Sequence, residues 1–172
     1  TFNGNAFVDI TFLKDFKFTF NVGTTVNEIR YYTTTNPYYG FGAEQNGTVT
    51  MYHYRTTTLN LQQILNYSHN FGKHNISVML GHESYKYNYA ELSASKKNMF
   101  SYWGNHELNG AVIDGSSAAS YSNDYNTEGY FFRALYDYDA KYYFSASYRR
   151  DASSRFHPDH WWGNFYSVGG AY

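Results

Sequence analysis

The sequence predicts an all-β chain, and within that class an antiparallel transmembrane β-barrel seen through about seven strands. Three observations carry the prediction. First, two segments alternate strictly on either side of the turn Asp139-Ala140-Lys141: Tyr130, Phe132, Ala134, Tyr136 and Tyr138, then Tyr142, Phe144, Ala146 and Tyr148. A pleated strand sends neighbours to opposite faces, so one face is aromatic and the other mostly polar. Every charge between Tyr130 and Arg149 outside the turn has the polar parity, as lipid on one side and a wet lumen on the other require. Second, aromatics are 22% of residues, with 21 Tyr and 14 Phe, yet mean hydropathy is −0.62. A soluble core of this size would use more Leu, Ile and Val. A membrane barrel instead sets Tyr and Trp at its interfaces and fills its lumen with Asn, Ser, Thr and Gly. Third, connections alternate between short and long, the asymmetry of periplasmic turns and extracellular loops. In a compact soluble domain such long loops would count against the assignment.

The elements follow in order. A first strand is expected near Ala6–Phe12 and a second near Phe16–Arg30, joined by Leu13-Lys14-Asp15. The second shows the period best: Phe16, Phe18, Phe20, Val22 and Val26 alternate with Lys17, Thr19, Asn21, Thr25 and Asn27. A third covers about Thr48–Ser68 and a fourth His74–Glu91, joined by His69-Asn70-Phe71-Gly72-Lys73. A fifth near Glu128–Tyr138 meets a sixth, Tyr142–Arg150, and the seventh is Gly163–Tyr172. The long connections are Tyr31–Gly47, Leu92–Thr127 and Asp151–Trp162. Asn, Ser, Gly and Tyr rather than Lys or Glu fill the first two, the composition of ordered loops.

Composition also excludes classes. No run of about 18 apolar residues exists, so no transmembrane helix is expected. Net charge −1 argues against a nucleic-acid surface. Without Cys there are no disulfide staples and no thiolate metal sites. No charged-then-apolar leader follows Thr1, so any signal peptide is expected outside this sequence. No Gly-x-Ser-x-Gly, His-Glu-x-x-His or Walker pattern is present, and no enzyme chemistry and no cofactor are expected.

Three blocks resemble a known family. They are Tyr136-Asp137-Tyr138-Asp139-Ala140-Lys141-Tyr142, Ser145-Ala146-Ser147-Tyr148-Arg149-Arg150-Asp151-Ala152-Ser153-Ser154-Arg155-Phe156, and Trp162-Gly163-Asn164-Phe165-Tyr166-Ser167-Val168. Together with Leu13–Phe18, Leu65–His74 and Leu80–Glu83 they are similar to the barrel of SusC/RagA-type TonB-linked outer-membrane transporters. The chain departs from the pattern at Ala152, where the family has Gly, and at Tyr166, where it has Pro. The resemblance implies a 22-stranded barrel of which residues 1–172 are a part, with a plug domain and the remaining strands elsewhere. It also implies a SusD-like surface lipoprotein as lid, the TonB-ExbB-ExbD system as energy source, and import of an oligosaccharide or peptide across the outer membrane.

Candidate site residues fall in two groups. Trp103, Trp161, Tyr38 and Tyr39 offer aromatic area to a sugar ring or to the lid, as Tyr31 and Tyr32 could; the bland alternative for a ring beside a strand, Trp162 above all, is an interfacial girdle. Arg133, Asp137, Arg149, Arg150, Asp151 and Arg155 could form a lumen and loop polar network, more in the manner of structural ion pairs than of an anion site. His157-Pro158-Asp159-His160 has a metal-like spacing, but Pro158 disfavours a helix there and an exposed polar loop is expected, with no metal. The function expected is TonB-dependent uptake of a nutrient, oligosaccharide in preference to peptide. The alternatives are a siderophore- or vitamin-type receptor, or a passive porin or adhesin barrel.

Overall fold

The structure is a computed structural model that describes residues 1–101, 104 and 106–172, with the side chains of 114–117 outside the description. Seven strands form one antiparallel meander in which each strand neighbours the next: β1 Phe2–Phe12, β2 Phe16–Thr35, β3 Thr48–Phe71, β4 His74–Met99, β5 Ala111–Tyr138, β6 Tyr142–Ser153 and β7 Trp162–Ala171. Order and number are as read from sequence, but several bounds are corrected. The expected loop Leu92–Thr127 shrinks to residues 100–110, because β4 runs on to Met99 and β5 begins at Ala111. Residues such as Ser93, Lys96, Ser120 and Asn123 are polar at both parities, so these extensions carry no hydrophobic period to read. Their Tyr and Ser content still suits a solvated, cross-paired ribbon. Likewise β2 reaches Thr35 and β6 reaches Ser153. The five-residue turn expected at 69–73 is the pair Gly72-Lys73, with Gly72 at φ 67. The exposed loop expected at 157–160 contains a short 3₁₀ turn, Pro158–His160. Pro at a first helical position loses no needed N–H, which is why it starts this turn rather than blocking it.

By internal contacts the chain divides into two units. One comprises Asn3–Thr25, Thr58–Tyr87 and Asp124–Tyr172, and it holds the three tight turns. In the β5–β6 turn Asp139 and Ala140 both take left-handed φ, 54 and 53, and Lys141 N–H donates to Tyr138 O at 3.0 Å. Leu13 and Lys14 do the same at φ 49 and 62, the geometry whose twist matches a hairpin. Side chains staple the turns into a row: Asp15 lies 2.8 Å from His69, and Lys73 lies 3.2 Å from Asp139.

The faces of this unit follow from contacts. Across β5–β6 the opposed pairs are Phe132–Tyr148, Ala134–Ala146 and Tyr136–Phe144; across β6–β7 they include Tyr148–Tyr166 and Ala146–Val168. His74 bonds the Tyr136 hydroxyl at 2.7 Å, so Ile76, Val78, Leu80 and His82 share that face. His82 bonds Gln63, which adds Leu65 and Tyr67, and the Tyr67–Phe16 and Phe16–Phe12 ring contacts add Phe18, Ile10 and Val8. On the opposite face Asp9 meets Lys17 at 3.0 Å, Asn75 donates to Asp137 at 2.9 Å, and Ser147 bonds Ser167 at 2.8 Å. None of the described apolar side chains of this unit is buried, and on the first face Val8, Phe144, Val168 and Leu80 are at least half exposed. That face is mostly apolar, interrupted by His74, His82 and Gln63, and it is exposed rather than packed into a core.

The other unit comprises Thr1–Phe2, Val26–Thr57 and Asn88–Asn123. Here Val49, Met99 and Ala111 are buried and Leu108 packs on them. Asn98 N–H donates to Gly47 O and Met99 N–H to Asn46 O, tying the connection after β2 to the end of β4. A 3₁₀ turn at Gly40–Gln45 closes against Asn46, which takes φ 50.

Candidate functional site

Two clusters carry the side chains that could meet a solute. The first lies where β5, β6 and β7 approach the 154–161 connection. Strand alternation aims Arg149 and Asp151 at the polar face, where the guanidinium Nε donates to both carboxylate oxygens at 2.7 and 2.8 Å. Glu83 of β4 stands 3.7 Å from the same guanidinium, which also lies over the Phe131 ring. Gly129 makes room for this pair: a Cβ there would sit 2.6 Å from the Asp151 carboxylate. Trp161 folds back so that its indole N–H donates to Phe156 O at 2.7 Å. Arg149, Asp151, Phe156, Trp161 and Phe165 thereby line an open recess of about 500 Å³.

The remaining charged candidates are elsewhere, so the six do not form one network. Arg155 lies 4.0 Å above the Tyr125 ring. Asp137 accepts from Asn75, two strand residues beyond Leu135 and toward the turn, while Arg133 is exposed opposite Ser147 on the same face. Arg150 is corrected: it opposes Tyr130 and Asn164 on the apolar face, with its guanidinium over Trp162. The strand runs straight through 149 and 150, so the two arginines must diverge.

The second cluster was not legible in the sequence. In the unit holding Val26–Thr57 and Asn88–Asn123, Tyr31 stacks on Tyr52 and Tyr54, Tyr54 stacks on Tyr89, and Tyr121 tilts against Tyr89. These rings belong to four consecutive strands and form a ladder across them. The Tyr31 and Tyr54 hydroxyls are 3.2 Å apart, and Tyr89 donates to Glu91 at 2.9 Å. Its signal was the tyrosine count itself; cross-strand register was needed to bring the rings together. Of the predicted aromatic contacts, Tyr38 and Tyr39 are 72% and 73% exposed at the head of the 3₁₀ turn. Trp103 lies outside the described residues.

No family model matches the chain. A curated protein named TonB-dependent receptor P3, from Formosa agariphila, is 29% identical over 163 residues, covering 91% of this chain and 16% of that protein. The solved structure of the RagAB peptide transporter superposes with a TM-score of 0.88 at 26% identity, over 98% of this chain and 19% of the transporter chain. The RagAB peptide importer in its closed-closed state gives 0.89 at the same identity and coverage. The chain is of the SusC/RagA type. It spans about a sixth of that TonB-dependent receptor and about a fifth of the RagAB chain. The all-β meander, with tight turns at Asp139-Ala140 and Gly72-Lys73, matches a part of the RagAB chain over nearly its whole length.

Proposed function

We propose that this chain is a stretch of barrel wall in a TonB-dependent importer of the outer membrane. The apolar face meets lipid, and the polar face lines the lumen. The turns at Leu13–Asp15, Gly72–Lys73 and Asp139–Lys141 face the periplasm. Further strands and a plug lie beyond residues 1–172; TonB-ExbB-ExbD act on that remainder, and a SusD-like lipoprotein lids the outer end. One observation carries the reading: in the unit that holds the tight turns, all seven strands expose a largely apolar face while ion pairs and Asn, Ser and Thr recur on the other. In water that face would be an aggregation surface; in a bilayer it is the required outward band.

The solute is an oligosaccharide in preference to a peptide. Support comes from the tyrosine ladder, which offers ring edges and hydroxyls with Glu91 as the acid bonded to it, a lining suited to a neutral polyhydroxylated chain. A peptide is the second reading, favoured by the likeness to the RagAB peptide transporter. The test is uptake by cells carrying or lacking the full-length gene, with labelled oligosaccharides and labelled peptides of matched length. Loss of TonB-dependent oligosaccharide uptake alone is expected; loss of peptide uptake alone reverses the substrate class, and unchanged uptake of both removes the importer reading.

A further inference from the structure

We propose that the apolar face carries a binding site for a phosphorylated lipid, with Arg150 holding the phosphate and the groove beside it an acyl chain. The proposal rests on the membrane reading above. Arg150 is a cation on a largely apolar face, beside Phe132, Ala134, Ala146, Tyr148 and Val168. Its guanidinium lies 4.7 Å above the Trp162 ring, which holds it flat and leaves its in-plane N–H groups free to point outward. The neighbouring carboxylates are already engaged: Asp151 accepts from Arg149, and Glu128 accepts from Tyr130 at 2.6 Å and stands 3.1 Å from His82. Among the described residues no carboxylate pairs with Arg150. A guanidinium without an internal counter-charge, at the depth of an aromatic girdle, calls for an external anion. A planar fork fits a phosphate through two parallel bonds.

The second half of the site is continuous with the first. Trp162 stacks on Tyr130, and Tyr130 stacks on His82. Those two rings close the end of a groove of about 440 Å³ whose floor is Phe18, Leu65, Leu80, Phe132 and Tyr148. A free phosphate would use Arg150 and ignore the groove. A lipid uses both, with its head at Arg150 and Asn164 and its chain running toward the turns. At the outer end of the strands that lipid belongs to the outer leaflet.

The test uses the full-length protein purified from outer membranes in non-ionic detergent, with bisphosphorylated lipid A and its dephosphorylated form as probes and retention read by native mass spectrometry. The wild type should retain the bisphosphorylated form by about tenfold over the dephosphorylated one, the scale of a charge-assisted hydrogen bond. Arg150→Gln should abolish that preference, and Leu80→Trp, which fills the groove, should weaken both lipids. Equal retention of the two lipids by the wild type, needing no variant, means annular lipid only and overturns the site. So does competition by inorganic phosphate alone at equal potency, or a dimer band that Arg150→Gln removes. A protein absent from the outer membrane overturns the membrane reading itself, whereas one present there without lipid preference overturns the lipid site alone.

Discussion

The Phe131 ring of β5 lies over the Cα of Gly81 on the adjacent strand, so that a Cβ at residue 81 would overlap the ring. Arg149 of β6 stacks against the same ring, 5.5 Å from its centroid, and is held by Asp151. A glycine covered by a cross-strand aromatic is a known device for fixing register where the sheet must be thin. Gly81→Val should therefore destabilise the full-length protein by about 1–3 kcal/mol, the usual cost of overpacking. Urea unfolding in lipid bilayers measures it. Adding Phe131→Ala to the same chain should recover part of the loss.

Ala140 occupies a left-handed position at φ 53, where its Cβ is unfavourable. Ala140→Gly would convert the turn to Asp-Gly, the strongest short hairpin signal, and should stabilise the protein by roughly 1 kcal/mol. The same unfolding titration reads it, and a loss of stability would mean that the Asp139–Ala140 turn differs from the one described.

Facing predicts an asymmetric tolerance to charge. Ala134→Lys places an ammonium on the apolar face near mid-strand and should cost about 2–4 kcal/mol, whereas Ser147→Lys on the polar face should stay within about 0.5 kcal/mol. Equal costs would place both faces in the same medium.

Orientation can be read in intact cells. Cys at Ser120 should react with an impermeant thiol reagent, and Cys at Ala140 should react only after the outer membrane is permeabilised. The reverse pattern would invert the strands.

Much of this was legible in the sequence, for a physical reason. Where one face is apolar and the other wet, as from Tyr130 to Arg149, the period of two is written in residue type, and the observed pairs Phe132–Tyr148 and Tyr136–Phe144 follow from it. Beyond about Glu91 and before Glu128 both faces are polar, the period vanishes, and a paired ribbon reads as loop. The divergence of Arg149 and Arg150 could have been read from the same alternation. The tyrosine ladder could not, because Tyr31, Tyr54, Tyr89 and Tyr121 meet only through inter-strand register.

Isolated residues 1–172 should neither insert as a stable monomer nor conduct. β1 and β7 lie at the edges of the sheet, and unpaired N–H and C=O groups cost several kcal/mol each in hydrocarbon. Expressed alone, the segment should aggregate in detergent; a monodisperse, heat-resistant species with channel conductance would mark a small complete barrel.

Electron cryo-microscopy of the full-length protein in lipid nanodiscs bears most directly on the barrel-wall assignment. It should show β1 and β7 each hydrogen-bonded to a strand from outside residues 1–172, with Phe132 and Val168 against lipid and Arg133 and Arg149 in the lumen. β1 pairing directly with β7, or Arg133 and Arg149 facing lipid, would contradict it.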